Sequence, residues 1–353
     1  MINSSLKRLT PYFINPALLE TTIQWFRPTA SLLEVRAEVV RTKRETPDTL
    51  SIWLKPNSQF KGMRAGQYAR VSVDVNGRRV GRTYSLSTVE GSSLLRFTVK
   101  AIPDGLVSNT INTQLQAGDV VTLDQFGGEF TLAQAQTPKL QFVAAGSGVT
   151  PVMSMLYTLE KTQANTPVQF FYISRNRENR IFADELDALA ARWPSLTLIN
   201  HDSDTAGVPT ADDIAKALPG FGQHSTWVCG PRALISDLQA RFAHSPNLLV
   251  TETFMPPVFV QNTESMGPVQ VTLEAQGKTF TTEGDTPLLQ QIEATGLQPK
   301  NGCRMGICAS CTCVKVHGAH QNLLTGEISN APNEVIKLCT SRALSDITLN
   351  IAL

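Results

Sequence analysis

Several features that would define a class of protein are missing from this 353-residue sequence. No apolar run reaches the roughly 18–20 residues that a membrane-spanning helix needs. The N-terminus, MINSSLKRLTPYF, lacks an apolar signal core and a small-residue cleavage site, so we expect a cytoplasmic protein. The net charge is only +1, so no nucleic-acid partner is expected. The five histidines show no metal-ligand spacing, and we expect them at the surface.

Cysteine is also scarce, except in one segment. Four of the six cysteines stand in NGCRMGICASCTC, residues 301–313. A reducing cytosol disfavours a disulfide framework, which leaves an iron–sulfur cluster, a zinc site or reduced structural thiols. Cys303, Cys308 and Cys311 follow a C-x4-C-x2-C spacing with Cys339 farther along, which is the ligand spacing of plant-type [2Fe–2S] ferredoxins. Structural zinc sites more often show two C-x2-C pairs, so the spacing favours the cluster.

The residues around this segment support the same interpretation. VQVTLEAQGKTFTTEGDTPLLQQIEATGLQPKNGC predicts a strand, a turn, a second strand and a helix that starts near Asp285. Residues 268–353 resemble a ferredoxin β-grasp domain, in which the four cysteines hold the cluster. The family commonly reads CRAGxCGxC, and Met305 and Ala309 depart from that pattern. Cys313 breaks the ligand spacing, and we expect it to be a buried strand residue.

Upstream, residues 34–134 show short stretches of alternating hydrophobicity separated by Gly, Pro and Asn turns. This pattern predicts a small antiparallel β-barrel. Within it, RTYSLST resembles the flavin motif of the ferredoxin–NADP reductase superfamily. The resemblance implies that Arg82 pairs with the flavin phosphate, Tyr84 stacks on the isoalloxazine and Ser85 hydrogen-bonds the reactive N5.

A second flavin element follows in DGLVSNTIN, which resembles the superfamily's GxxS sequence. There the backbone N–H groups of a helix start hold the flavin pyrophosphate, and Gly105 and Ser108 are the matching positions. A pyrophosphate-binding element favours FAD over FMN, which some relatives with a fused ferredoxin use instead.

Residues 135–256 change to apolar strands alternating with amphipathic helices, which predicts a doubly wound, mostly parallel sheet. GSGVTP stands between the first strand and its helix, where a helix N-terminus faces a phosphate. It matches the superfamily's GxGxTP nucleotide loop at Gly146, Gly148, Thr150 and Pro151.

A further superfamily marker is CGP, at Cys229, Gly230 and Pro231. The resemblance implies that this strand-end cysteine helps to position the nicotinamide. Glu252 and Phe254 stand where the superfamily often places an acid and an aromatic residue near the flavin. We assign catalytic roles to Ser85, Cys229 and Glu252.

The choice between NADPH and NADH depends on the residues after the second strand of this domain. NADPH carries a 2′-phosphate that attracts cations, whereas the bare ribose of NADH often meets an acid. SRNRENR supplies Arg175, Arg177 and Arg180 there, although Glu178 would also suit a solvated loop of mixed charge. We therefore predict NADPH rather than NADH, with Arg175 and Arg180 as ligands.

The order of domains then predicts a function. We expect an N-terminal amphipathic extension over 1–33, an FAD barrel over 34–134, a nucleotide domain over 135–256, a linker over 257–267 and a ferredoxin domain over 268–353. Flavin reductases with a C-terminal ferredoxin have this order, which implies an oxidoreductase that passes electrons from NADPH through FAD and [2Fe–2S] one at a time.

The electron acceptor is predicted to be another protein, because the sequence shows no oxygen-activating metal site. The whole sequence, extension included, resembles reductase partners of membrane fatty-acid desaturases and alkane hydroxylases. The extension itself, PALLETTIQWFRPTASLL, is amphipathic and would either pack on the barrel or touch a membrane-associated partner. We expect a monomer with peripheral contact at the inner face of the membrane. The alternatives are a reductase for a soluble ring-hydroxylating or CoA-thioester oxygenase, or a self-contained reductase of a small molecule.

Overall fold

The computed structural model describes residues 22–254, 267–282, 286–302, 304, 306 and 309–351. Contacts divide the chain into two units, Met1–Thr253 and Phe254–Leu353. The predicted combination of a β-barrel, a parallel doubly wound sheet and a β-grasp domain is confirmed, and the first two lie in the first unit. Within the described ranges, no helix is long and apolar enough to cross a membrane.

The first unit begins with six antiparallel strands, because alternating residues along each strand are apolar and face one core. Their order is β4-β3-β6-β1-β2-β5, and a bridge between Leu86 and Phe97 joins the two edges into a barrel. A short helix connects β5 to β6. The elements are β1 Val35–Thr46, β2 Thr49–Pro56, β3 Tyr68–Val75, β4 Arg78–Ser85, β5 Leu95–Lys100, α1 Leu106–Thr113 and β6 Val120–Gly127.

The second part of this unit is a five-stranded parallel sheet in the order β11-β10-β7-β8-β9. Its three central strands are buried runs, as expected where helices cover both faces, whereas the two edge strands are only partly buried. The elements are β7 Leu140–Ala145, α2 Val149–Thr162, β8 Val168–Ser174, α3 Ala183–Arg192, β9 Leu196–Asp202, α4 Ser203–Ala206, α5 Ala211–Ala217, β10 Ser225–Cys229, α6 Arg232–Gln239 and β11 Leu249–Glu252. The order reverses between β7 and β10, which is the point where such sheets open a ligand crevice.

The barrel and the parallel sheet share a buried apolar cluster. Ala65 and Phe130 of the barrel pack into the same core as α2 and α3. Trp227 of β10 is fully buried and donates its indole N–H to the carbonyl of Thr131 at 3.1 Å. The two parts of the first unit are therefore joined by side-chain packing as well as by the chain.

The second unit holds a mixed sheet in the order β13-β12-β19-β14-β17 and a small sheet in the order β16-β15-β18. The elements are β12 Val269–Leu273, β13 Lys278–Thr282, α7 Leu288–Ala294, β14 Thr312–His317, β15 His320–Asn322, β16 Ile328–Ser329, β17 Glu334–Lys337, β18 Ser341–Ala343 and β19 Ile347–Asn350. Pro287 caps α7, as expected of a proline at a helix entry, whereas Asp285 lies outside the described residues. This is the β-grasp arrangement, with a helix against a mixed sheet.

Candidate redox site

The GSGVTP loop is a tight turn between β7 and α2. Gly146 has φ +55°, a conformation that favours glycine, and its carbonyl accepts a hydrogen bond from the buried hydroxyl of Tyr172 at 3.1 Å. Thr150 donates its hydroxyl to the carbonyl of Ser147 at 3.0 Å, which fixes the first turn of α2. The loop is thereby held with the N-terminus of a 14-residue helix at the crevice. Sequence reasoning missed Tyr172, whose only signal was a polar tip within an apolar strand.

The GSG and CGP loops touch each other at the reversal of strand order. A methyl group on Gly148 would lie 2.1 Å from the carbonyl oxygen of Cys229 and 3.2 Å from its Sγ. One on Gly230 would lie 3.1 Å from the Cβ of Ala145, at the end of β7. Glycine is therefore required where the two loops meet, and Pro231 then caps α6. The fold brings together two motifs that stand far apart in the sequence.

Cys229 and Glu252 are register partners at the ends of β10 and β11. Burial, followed by the charge of Glu252, raises the pKa of the Cys229 thiol. Burial also raises the pKa of Glu252 to about 8. Its Oε2 atom is buried without a hydrogen-bond partner in the described part of the chain. An orphaned carboxyl oxygen suits a site that a polar cofactor group completes.

Phe254 lies two residues beyond Glu252 and is 36% exposed, so its ring is available to a ligand. It is also the last residue described before the gap at 255–266.

The flavin motif lies on β4, at the edge of the barrel that the Leu86 bridge closes. Arg82 and Tyr84 are two residues apart in the strand and therefore project from the same face, whereas Ser85 is buried. Burial raises the pKa of Tyr84, and the nearby Arg82 charge opposes that rise. The strand thus offers a cation and an aromatic ring side by side, as an isoalloxazine with a phosphate tail requires.

The GxxS element forms the tight start of α1. Ser108 donates its hydroxyl to the carbonyl of Gly105 at 3.2 Å and accepts from the N–H of Ile102 at 3.4 Å. A methyl group on Gly105 would lie 2.3 Å from that hydroxyl oxygen. The side chain of Ser108 therefore shapes the turn, and the backbone N–H groups of the helix start are left as the donors for a ligand.

The three arginines after β8 have different surroundings. Arg177 forms ion pairs with Asp184 at 2.9 Å and Asp187 at 2.7 Å. Arg180 is buried and paired with Asp202. Arg175 stands at the end of the strand and bonds the neutral side-chain oxygen of Asn179. This arrangement favours Arg175 over Arg180 as a phosphate ligand, and both assignments stay predictions.

In the second unit, the described ligand candidates are Cys311 and Cys339. Both are buried, 3% exposed. Thr312 pairs with Lys337, and the N–H of Leu338 bonds the carbonyl of Cys311 at 3.0 Å, so the two cysteines flank one strand end. Two segments, one before β14 and one after β17, thus each bring a buried cysteine to the same strand end, as a cluster with ligands from two segments requires. Cys303 and Cys308 lie outside the described residues.

The structure confirms the expectation for Cys313 and contradicts the one for the histidines. Cys313 is a buried residue of β14, as predicted. The expectation that all five histidines are at the surface is wrong for His320, which is 6% exposed, because β15 turns it inward toward Glu334.

The backbone of the cluster loop explains one departure from the family pattern. Ala309 has φ +55°, in the left-handed region that favours glycine, and glycine is the residue the family commonly has there. Gly306 has φ +79°, and a methyl group on it would lie 2.9 Å from Cγ2 of Thr340. Close backbone approach is therefore built into the loop. Met305 lies outside the described residues.

A six-stranded barrel with a flavin motif, a parallel sheet with a nucleotide crevice and a β-grasp domain define an iron–sulfur flavoprotein reductase. Residues 36–131 match the family of oxidoreductase FAD-binding domains, residues 142–240 that of oxidoreductase NAD-binding domains, and residues 271–344 that of 2Fe-2S iron-sulfur cluster binding domains. The chain belongs to the ferredoxin–NADP reductase superfamily, with a C-terminal plant-type [2Fe–2S] domain. It is an NAD(P)H-dependent oxidoreductase with FAD and a [2Fe–2S] cluster.

The chain is also similar to individual proteins of this class. The chain is 31% identical over 355 residues to an NADPH oxidoreductase of Mycobacterium tuberculosis, covering 98% of this chain and 92% of the relative. It is 28% identical to the NADH oxidoreductase HCR of Escherichia coli, covering 89% of this chain and 97% of the relative. The structure of phthalate dioxygenase reductase shares the fold, with a TM-score of 0.64 and 23% identity over 91% of this chain and 98% of the other.

Proposed function

We propose that this protein takes electrons from NADPH and delivers them one at a time, through its FAD and [2Fe–2S] groups, to a separate acceptor protein. The observation that carries the proposal is the contact between the GSG and CGP loops beside the buried pair of Cys229 and Glu252. That contact lies where the strand order of the parallel sheet reverses, and Tyr84 lies on an edge strand of the barrel that shares a core with this sheet. When bound, the flavin would accept a hydride and the cluster would carry single electrons.

The protein's own residues bind and orient these groups. The loop glycines let the backbone approach a pyrophosphate, Arg82 supplies a fixed cation, and Tyr84 supplies a ring for stacking. Glu252, with its pKa near 8, is protonated at neutral pH and can donate a hydrogen bond from its carboxyl group. In the other unit, Cys311 and Cys339 would be two of the cluster's ligands.

NADPH is proposed as the donor because Arg175 stands at the end of β8 with a neutral partner. This is the strand end at which NAD-binding proteins often carry an acid for the ribose. The name of the mycobacterial relative, an NADPH oxidoreductase, agrees with this choice.

A membrane-bound desaturase or hydroxylase is proposed as the acceptor. Before the barrel, Trp25 and Phe26 follow each other in a helical stretch at 22–26 and are 86% and 82% exposed. Exposed aromatic residues of this kind favour a lipid or apolar partner surface. The alignment with the mycobacterial relative covers 98% of this chain, so it includes most of the extension.

A soluble oxygenase is the second candidate acceptor. Two relatives are named as the ferredoxin reductase component of a 3-ketosteroid-9-alpha-monooxygenase from Rhodococcus rhodochrous and as the reductase subunit of a glycine betaine monooxygenase from Chromohalobacter salexigens. They are 29% and 25% identical to this chain.

The test is anaerobic reduction of the purified full-length chain by NADPH and by NADH, followed at the flavin and cluster absorption bands. We expect both bands to bleach, and NADPH to act at lower concentration than NADH. NADPH consumption is then measured with a membrane desaturase in liposomes and with a soluble oxygenase. A chain that bleaches neither band with either nucleotide would contradict the proposal.

A further inference from the structure

A partly buried ionic cluster joins the barrel to the nucleotide-binding part of the first unit. Its centre is Glu185, in the first turn of α3. Oε2 of Glu185 accepts from Nη1 of Arg96 at 2.7 Å and from the hydroxyl of Tyr157 at 2.7 Å. Oε1 accepts from Nζ of Lys43 at 2.9 Å. One carboxylate of the nucleotide-binding part therefore binds two strands of the barrel, β1 and β5, and helix α2.

Arg96 also bonds the segment that directly follows the flavin-binding strand. Its side chain is 3% exposed, and its Nε and Nη2 both donate to the carbonyl of Ser87, at 3.0 and 2.7 Å. Ser87 stands two residues beyond Ser85, the last residue of β4. A buried arginine that bonds a carbonyl with two nitrogens and a carboxylate with a third has little freedom to move.

The same segment is also bonded to α2. Ser154 donates its hydroxyl to the carbonyl of Thr88 at 2.6 Å, and the N–H of Glu90 donates to the hydroxyl of Thr158 at 3.0 Å. Helix α2 starts at the nucleotide loop. Residues 87–90 therefore connect the flavin strand to the helix that follows the nucleotide loop and, through Arg96, to α3.

The residue before α3 has an unusual backbone conformation, and its side chain contacts Arg96. Phe182 precedes α3 with φ +63°, an unfavourable conformation for a bulky residue, and it is buried. Its ring lies 4.4 Å from the guanidinium carbon of Arg96.

Burial acts to raise the pKa of Glu185, but Arg96, Lys43 and Tyr157 outweigh it and hold that pKa at about 2. The carboxylate is therefore charged at every working pH.

We propose that Glu185 is a positioning residue for hydride transfer. Through Arg96 and Ser87 it fixes the flavin-binding strand relative to the nucleotide loop. This inference rests on the proposed function, in which one hydride, two electrons with one proton, leaves the reduced nicotinamide and reduces the oxidised flavin. A misplacement of about 1 Å between reacting groups can slow such a step by about 100-fold.

The test compares Glu185→Ala with Glu160→Ala. Glu160 and Glu185 line one cleft of about 540 Å³. The partner of Glu160 is Arg192, at 2.6 Å, which belongs to the nucleotide-binding part, so no described contact to the barrel is lost. Flavin reduction is measured by anaerobic stopped flow at saturating NADPH. In Glu185→Ala we expect the limiting rate to fall by about 10- to 100-fold, with nucleotide affinity and flavin midpoint potential unchanged. Glu160→Ala should keep the native rate.

A second measurement does not depend on turnover. Hydrogen exchange of the amides at 85–90, in the resting protein without nucleotide, should be at least about 10-fold faster in Glu185→Ala and unchanged in Glu160→Ala. If Glu185→Ala does not fold, Glu185→Gln keeps the volume and one acceptor oxygen, and it should show both effects at smaller size.

A folded, flavin-loaded Glu185 variant with the native limiting rate and native exchange would overturn the inference. So would a slower turnover that arises only from weaker nucleotide binding. If the unaltered chain is reduced by neither nicotinamide, the proposed function has failed instead, and the exchange measurement still decides whether Glu185 fixes residues 85–90.

Discussion

The two ends of the predicted electron path are built in different ways. At the flavin and nucleotide end, the candidate residues come from six separate segments of a barrel and a sheet that share one core. At the cluster end, three of the four predicted ligands fall within residues 303–311. One site is assembled by tertiary structure, whereas most of the other is encoded in a single loop.

This difference determines which substitutions each site tolerates. In the first unit, contacts between distant segments are made by glycines and by buried polar groups, so a change in one segment displaces another. In the second unit the ligands are covalent, and loss of one thiolate removes the group itself. The following predictions sharpen that contrast, starting with the largest effect.

Cys339→Ser should remove the cluster, because a hydroxyl replaces a thiolate ligand. We expect acid-labile sulfide near zero, while NADPH-dependent ferricyanide reduction stays within about twofold, since flavin reduces that dye directly. Cys313→Ser is the matched control, a buried cysteine of the same sheet that should leave the sulfide content unchanged. Loss of dye reduction in a folded Cys339→Ser chain would contradict the order of electron carriers.

Gly148→Ala should disrupt the nucleotide crevice, because its methyl group would lie 2.1 Å from the carbonyl oxygen of Cys229. Overpacking of this kind costs about 1–3 kcal/mol, which we expect mainly as nucleotide affinity reduced by about 10- to 100-fold. Gly146→Ala is the control, since its methyl group meets nothing within 4 Å and adds only backbone strain. Equal effects on affinity, measured by nucleotide titration, would count against contact between the loops as the cause.

Arg175→Ala should lower kcat/KM for NADPH by about 10-fold relative to NADH, because a charged pair with the 2′-phosphate is lost. Arg177→Ala is the control from the same loop, since Asp184 and Asp187 already neutralise that side chain. The ratio of kcat/KM values for the two nucleotides is the measurement. A parallel loss with both nucleotides would remove the assignment to the 2′-phosphate.

Glu252 should make the first unit less stable as pH rises. Its carboxyl has a pKa of about 8 in the folded chain, against about 4.3 in an unfolded one, so the folded state binds the extra proton between these values. Stability therefore falls as pH rises from about 4.3 to 8, and between pH 6 and pH 8 the fall is on the order of 2 kcal/mol. In Glu252→Gln, denaturant unfolding at pH 6 and pH 8 should lack that component. The contribution of Glu185 to stability depends on pH in the opposite direction. Its pKa of about 2 lies below the unfolded value, so its contribution is lost as the pH falls.

Ala309→Gly should give the smallest effect of these substitutions, and it alone should increase stability. Alanine at φ +55° is strained where glycine is not, so relief should stabilise the second unit by about 1 kcal/mol. Gly306→Ala is the control and should destabilise, since its methyl group would press on Thr340. Thermal unfolding followed at the cluster band distinguishes the two, and a destabilised Ala309→Gly chain would contradict the strain.

Much of the fold could be predicted from the periodicity of hydrophobic residues in the sequence. The strand at TLSIWLKP and the helix after GSGVTP follow from alternating and helical hydrophobic patterns, which reflect which side chains can reach a core. The inward position of His320 was not readable, because the turn before β15 decides it. The burial of Arg180 against Asp202 was likewise hidden, since an ion pair between β9 and the loop after β8 needs the folded sheet.

The sequence by itself determined which chemistry the protein can hold, since cysteine spacing and glycine-rich motifs are local properties of the chain. Tertiary structure alone decided where the motifs meet. It placed Gly148 against Cys229 and the carboxyl of Glu252 beside them, and it joined Arg96 to Glu185 across the barrel and the sheet. The physical reason is that contacts between distant residues depend on packing of the whole core, which no short stretch of residues specifies.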